Sequence, residues 1–411
     1  MASTLWRIPA SRLDATLDRV GRLVQSTDER DDLMARAFWH VIAEPGDAAV
    51  GYLADAGSLV AAAQALIDGC TPATLVALSA GELSAEAATN AVRRWTPRLK
   101  SEDVVRALEI AGTVGAQLLA PDDDCWPDGL DRLGPHRPHL LWVRGRTELA
   151  PRPSVALVGA RAATGYGEHV AMELAAGLAS RDIVVVSGGA YGIDGAAHRA
   201  SLAAQGDTIA VLAGGADRLY PSGHDALLTR VIEQGAVLSE TPCGTAPTRW
   251  RFLQRNRLIA AMSDAVVVVE AGHRSGALNT VHHALSVGVP VGVVPGPITS
   301  AASAGCHRTL RTSDARCITS TTEIMELAFD SPSGDGAVAL SARPSAGSTR
   351  VRDALRPRRA HSVDELARAT GMSVDEVRAE LGLLQFEELA VEEANGMWRK
   401  SNSPRPAPAQ F

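Results

Sequence analysis

The chain has 411 residues and a formal net charge of -7, with 46% hydrophobic and 21% charged residues. This is the balance of a globular protein of two or three domains, not of a chain coated in positive charge. No run of about 18 uncharged apolar residues occurs and residues 1–30 hold no continuous apolar stretch, so neither a membrane span nor an export signal is expected. The five cysteines (Cys70, Cys125, Cys243, Cys306 and Cys317) form no CxxC pair and are odd in number, which reads as reduced thiols in a cytoplasmic protein.

Residues 1–120 read as a helical domain, rich in Ala and Leu, with breaks at Glu44-Pro45-Gly46-Asp47 and Gly69-Cys70-Thr71-Pro72 and no constellation of chemical groups. From 121 the chain is irregular and Pro-rich, with one strand-like run, Leu140-Leu141-Trp142-Val143. Short apolar runs then alternate with helical stretches: Val155–Val158, Ile183–Val186, Thr208–Leu212, Ala236–Leu238, Ala265–Val269 and Val291–Val294. Continuous apolar runs suit strands buried on both faces, so residues 121–329, with a core at 154–297, read as an α/β domain. The fold expected is a Rossmann-like, doubly wound and mainly parallel sheet. A Ser/Pro/Gly-rich linker follows at 330–348. Residues 349–400 carry two capping boxes, Ser362–Glu365 and Ser373–Glu376, and an Asn395-Gly396 turn, which together predict a winged helix. Residues 401–411 read as a disordered tail.

Ligands of open parallel sheets sit outside the carboxyl ends of the strands, so the loops there carry the functional reading. The first, from Gly159 to Gly167, is not GxGxxG; its Arg161, beside a helix N-terminus, suits an isolated phosphate. The second, Ser187-Gly188-Gly189-Ala190-Tyr191-Gly192-Ile193-Asp194, offers close backbone approach and free N–H groups at Gly188 and Gly189, with Asp194 as the expected N-cap. Asp194 and His198 share a helical face, but a structural Asp–His pair is commoner than a metal site without further ligands, so no metal is expected. The loop after the fifth strand places Ser275 and Gly276 at the start of a helix.

The most pointed stretch is Arg249-Trp250-Arg251-Phe252-Leu253-Gln254-Arg255-Asn256-Arg257, with four arginines, no acid and two aromatics, followed by apolar Leu258–Met262. Guanidinium forks match phosphate oxygens and aromatic faces stack bases, so Arg249, Phe252, Arg255, Asn256 and Arg257 are candidate nucleic-acid contacts. A charge run is usually only a solvated face, and lysine occurs at Lys100 and Lys400 alone. An arginine is therefore no signal by itself in this chain. With no nucleophile–base pair and no Walker lysine, the inventory is that of a binding module without cofactor, not a catalyst.

These residues also carry a resemblance. Val158–Thr164, Ser187–Leu202, Thr208–Leu212, Tyr220-Pro221, Leu238–Glu240, Arg255–Ala260, Ser275–Ala277 and Val294–Gly296, in this order and spacing, resemble the DNA-processing protein A (DprA, or Smf) family. The resemblance implies a dimeric, Rossmann-like protein that binds single-stranded DNA and helps load a RecA-type recombinase in natural transformation. It implies phosphate contact at Arg161, a DNA pocket at Arg249 and Phe252, and matches at Gly188, Gly189 and Arg255–Arg257. Tyr191 stands where the family usually has a basic residue, and Leu253-Gln254 replaces the usual Pro-Xaa.

Two other readings share the fold: a small-nucleotide sensor, and a phosphoribohydrolase whose Pro-Gly-Gly-Xaa-Gly-Thr signature is missing here. In the winged helix, Asp375, Glu376, Glu380, Glu387 and Glu388 outnumber Arg378 on and just after the third helix. The expected role there is protein contact, since acids repel the phosphates of a duplex.

Overall fold

In the computed structural model of the chain, residues 6, 8–329, 346–357, 359–386, 389–393 and 396–401 are described. Most of the expected linker (330–348), nearly all of the tail, and Glu387, Glu388 and Asn395 lie outside the described residues. The chain divides into two compact units, 1–331 and 332–411.

The first unit is built on nine strands among the described residues: β1 Gln117–Leu119, β2 Leu141–Gly145, β3 Ser154–Gly159, β4 Val184–Ser187, β5 Thr208–Leu212, β6 Ala236–Ser239, β7 Ala265–Glu270, β8 Val291–Val293 and β9 Arg316–Cys317. They form one sheet in the order β1-β2-β6-β5-β4-β3-β7-β8-β9. β6 through β9 run parallel, whereas β1 and β2 add an antiparallel edge. The six runs expected as strands all lie in this sheet. Their continuous apolarity has a simple cause: alternate side chains enter two different cores. Val155 and Leu157 pack against helices Gly165–Ala179 and Ile193–Ala203, while Ala156 and Val158 pack against helix Arg249–Ala261 and its neighbours. Both faces are covered by helices, the doubly wound arrangement.

Helices fill Ala10–Thr113, with gaps at Ala43–Asp47 and Asp68–Thr71 close to the expected breaks. The structure places them in the same compact unit as the sheet. Trp142 of β2 and Cys243 after β6 are buried in the core formed by Phe38, Trp39 and Trp95, and His40 Nδ1 donates to the Glu240 carbonyl at 2.7 Å.

In the second unit, helices Ala346–Ala354, Val363–Thr370 and Val374–Phe386 surround a small core of Val351, Leu366, Val377, Leu381 and Trp398, beside the antiparallel pair Ala390–Glu392 and Trp398–Lys400. Both capping boxes form: Ser362 and Glu365 exchange side-chain-to-backbone bonds, as do Ser373 and Glu376.

Candidate nucleic-acid interface

Strand order reverses at β3, which has β4 on one side and β7 on the other. Outside the carboxyl ends of β3 and β7 lies a cleft of about 650 Å³, the position at which open α/β sheets bind ligands. Its walls come from the loops after β3 and β7 and from the first two turns of helix Arg249–Ala261. Arg161, Phe252, Arg255, Asn256, Ser275 and Gly276 all line it.

Arg161 is exposed, and its Cζ lies 4.9 Å from the centroid of the Phe252 ring. Arg255 approaches the same ring at 5.7 Å. Among the described residues no carboxylate pairs with Arg161, so its fork is held by the ring and free for an anion. Arg274, also exposed and without an ion pair among the described residues, stands on the opposite wall. It was not among the candidates from sequence; an arginine between Gly272 and Gly276 after a strand was the available signal. Among the described residues the only acid lining the cleft is buried Asp194.

Part of the anion cradle expected after β4, at Gly188, is filled by the protein itself. Asp194 is not the N-cap, which is Gly192. Its carboxylate turns back to accept from Gly188 N at 3.2 Å and Ala190 N at 3.4 Å. Arg255 is also corrected from contact to support. It is buried, and its Nη1 donates to the Gly188 carbonyl at 2.8 Å and to the Val211 carbonyl. A Cβ on Gly188 would meet Arg255 Nη2 at 2.6 Å and Asp194 Oδ2 at 2.8 Å, which explains the glycine. Gly189 has φ +69°, open to glycine without strain. Burial raises the Asp194 carboxyl and lowers the Arg255 guanidinium to about 10, each group partly offsetting the other's shift. His198 does not join Asp194; its Nδ1 meets Thr208 Oγ1 at 2.8 Å.

The helix terminus expected beside Arg161 is also occupied from within the protein. Glu270, at the end of β7, accepts from Thr164 N at 2.8 Å and Thr164 Oγ1 at 2.9 Å, and so occupies the start of helix Gly165–Ala179. This role of Glu270 was not foreseen.

The basic run is a helix, Arg249–Ala261, capped by Thr248, and at about 100° per residue its members point apart. Phe252 and Asn256 face the cleft, and Asn256 Nδ2 braces the far wall through Asn279 Oδ1 at 3.2 Å and the Gly276 carbonyl at 3.4 Å. Ser275 Oγ accepts from Ala277 N at 3.3 Å, closing that wall. Trp250 and Gln254 face a second groove of about 570 Å³, shared with Arg94, Trp95 and Arg98. Arg251 is paired with Glu44, at 3.0 and 3.1 Å. Arg257 is buried and its Nη2 alone donates to both carboxylate oxygens of buried Glu240, at 2.6 and 2.5 Å, so the expected phosphate contact at Arg257 is replaced by an internal ion pair. Of the four arginines only Arg249, in the first turn, is exposed.

Among the described residues no cluster of three or more His, Cys, Asp or Glu side chains is arranged to hold a metal, and no helix is long and apolar enough to cross a membrane.

Two histidines in this unit are held neutral. Burial first, and then neighbouring charges, lower both His139 and His198 to about 3. Their unfolded values lie near 6.5, so as pH falls from about 6.5 towards 3 only the unfolded state takes up these protons. Stability is therefore lost with acidification, by about 1.4 kcal/mol per pH unit for each histidine. Asp194, shifted upward, opposes this trend. Urea midpoints at pH 7.5, 6 and 5 should fall, and the fall should be shallower in the His139→Gln/His198→Gln variant. An equal slope in the variant would contradict the assignment.

Residues 117–329 match the model of the family described as DNA recombination-mediator protein A. A DNA processing protein from Mycobacterium tuberculosis is 47% identical over 312 residues, covering 71% of this chain and 79% of that protein. The DNA processing protein of Streptococcus pneumoniae is 38% identical over 203 residues, covering 49% of this chain and 71% of that protein. Its X-ray structure superposes with a TM-score of 0.58 at 27% identity, over 72% of this chain and 96% of the other. With its switch-point cleft, its sheet order and these matches, the chain belongs to the DNA recombination-mediator protein A family.

Proposed function

We propose that the cleft at β3 and β7 binds single-stranded DNA, and that the chain acts as a recombination mediator that protects the strand and passes it to a RecA-type recombinase in natural transformation. The observation that carries this reading is Arg161, exposed and seated on Phe252, in a cleft whose only acid among the described residues is buried. A phosphate on Arg161 with Arg274 opposite, and a base against Phe252, is the combination that single strands require. The relatives, named for DNA processing, support it.

The rest of the assignment follows the same reading. The protein is a cytoplasmic homodimer without catalytic chemistry of its own. The helices of 10–113 pack on the sheet domain of 117–329, which binds the DNA, and 349–400 form a winged helix. That last unit makes protein contacts: Asp375 and Glu376 are exposed on helix Val374–Phe386 and Arg378 lies 3.5 Å from Asp375, leaving little positive charge for a duplex.

The test is photo-crosslinking of an oligonucleotide carrying 4-thiothymidine, followed by peptide mapping. Adducts are expected in 159–164, 249–256 and 272–277. Adducts confined to 8–113 or 346–401 would overturn the proposal.

A further inference from the structure

The aromatic side chains of this protein are few, 4% of the sequence, and among the described residues seven are buried. Among the described residues five remain largely exposed: Tyr166, Tyr191, Tyr220, Trp250 and Phe329. The first four follow the carboxyl ends of β3, β4, β5 and β6 in turn, on the functional edge of the sheet. Tyr166 is committed to the wall, its hydroxyl donating to the Pro295 carbonyl at 2.7 Å, and Trp250 faces the second groove. Tyr191 and Tyr220 remain, 46% and 47% exposed, on the loops of two adjacent strands.

Both rings are fixed in place by what they touch. Tyr220 lies 5.5 Å from Phe252, the aromatic floor under Arg161. Tyr191 packs edge-on against buried His224 at 4.7 Å and 72°. His224 is itself held by the Gly189 carbonyl at 3.0 Å through Nδ1. Tyr220 and His224 are the two ends of one short turn, so the two tyrosines flank it on the β4–β5 side of the cleft. An exposed ring already immobilised loses little entropy on stacking, and each base–aromatic stack is sequence-tolerant. Neither tyrosine carries charge; exposed Arg199 and Arg218 lie between them in the chain.

We infer that Tyr191 and Tyr220 form a base-stacking rim beside the cleft, so that a bound single strand lays its phosphates toward Arg161 and Arg274 and its unpaired bases over the two rings. This rests on the single-strand reading above and extends it. Binding then depends on the bases as well as on the charge of the strand, and a duplex, whose bases are already stacked, cannot use the rim.

The experiment compares oligo-dT with a strand of equal length and charge in which tetrahydrofuran abasic residues replace the nucleotides. Both are titrated by anisotropy against the full chain and its Tyr191→Ala, Tyr220→Ala, Tyr191→Phe and Tyr220→Phe variants. The rim predicts that the wild type binds the abasic strand at least fivefold more weakly, and that each alanine variant loses at least fivefold on dT. It also predicts that neither loses affinity on the abasic strand, that the salt dependence is unchanged, and that the phenylalanine variants bind like the wild type. Equal wild-type binding of both strands, or alanine variants that bind dT normally while Arg161→Ala binds it weakly, would overturn the rim and leave the single-strand reading standing. A wild type that binds neither strand would remove the reading itself, and the rim with it. Melting curves identify a variant that fails to fold, and loss of dT binding by both phenylalanine variants as well would assign the effect to the tyrosine hydroxyls and overturn the rim.

Discussion

Arg257→Ala is expected to cost about 3–5 kcal/mol of stability, because it leaves the Glu240 carboxylate buried without its cation. The two side chains are 3% and 6% exposed, and among the described residues the carboxylate accepts only two N–H bonds from Arg257 Nη2 and one from Gly46 N at 3.2 Å. Arg257 Nε and Nη1 have no hydrogen-bond partner among the described residues, so the pair is itself imperfectly satisfied. Replacing both partners together should therefore cost much less than removing one. Urea unfolding of Arg257→Ala, Glu240→Leu and Arg257→Met/Glu240→Leu is the check. A double variant as damaged as the sum of the singles would contradict the pairing. At a temperature where it is folded, the double variant should bind DNA like the wild type, although Arg257 lies in the most basic stretch of the chain.

The opposite outcome is expected for Arg161→Ala. The side chain is exposed, with a ring contact and no hydrogen bond among the described residues, so stability should change little. Affinity for a single strand should fall by ten- to a hundredfold, the equivalent of about 1.5–3 kcal/mol for one charge-assisted contact. The log–log salt slope should become shallower by about 0.7 for each phosphate that the variant no longer neutralises. Arg161→Lys should recover only part of the affinity, since an ammonium keeps the charge but not the planar fork that lies on Phe252. Full recovery would show that charge alone is read at this position.

The two variants mark what was legible in the sequence. The sheet was readable because strands such as Ala265–Glu270 send alternate apolar side chains into two cores, so both parities are hydrophobic and the run stands out. The edge strands Gln117–Leu119 and Arg316–Cys317 escaped notice because two or three residues give no period to detect. The cleft residues Arg161 and Phe252 were found from loop position and residue type. Arg257 could not be placed in the same way. Its partner Glu240 sits at the end of a different strand, and Arg251 pairs with Glu44, 207 residues away. A run of like charge shows its sign in sequence but not its counter-charges or its helical phase. The glycine loop at Gly188 misled for a related reason. Its N–H groups were visible, whereas the carboxylate that takes the one at Gly188 comes from Asp194 turning back across the loop.

The measurement that bears most directly on the central claim is anisotropy of labelled oligo-dT and of a duplex of equal length, titrated with the wild type and with Arg161→Ala across a salt series. The account predicts tight, salt-dependent binding of the single strand by the wild type, weaker binding of the duplex, and a marked fall in affinity in Arg161→Ala with a shallower salt slope. Equal affinity for single strand and duplex, or single-strand binding indifferent to Arg161, would contradict it.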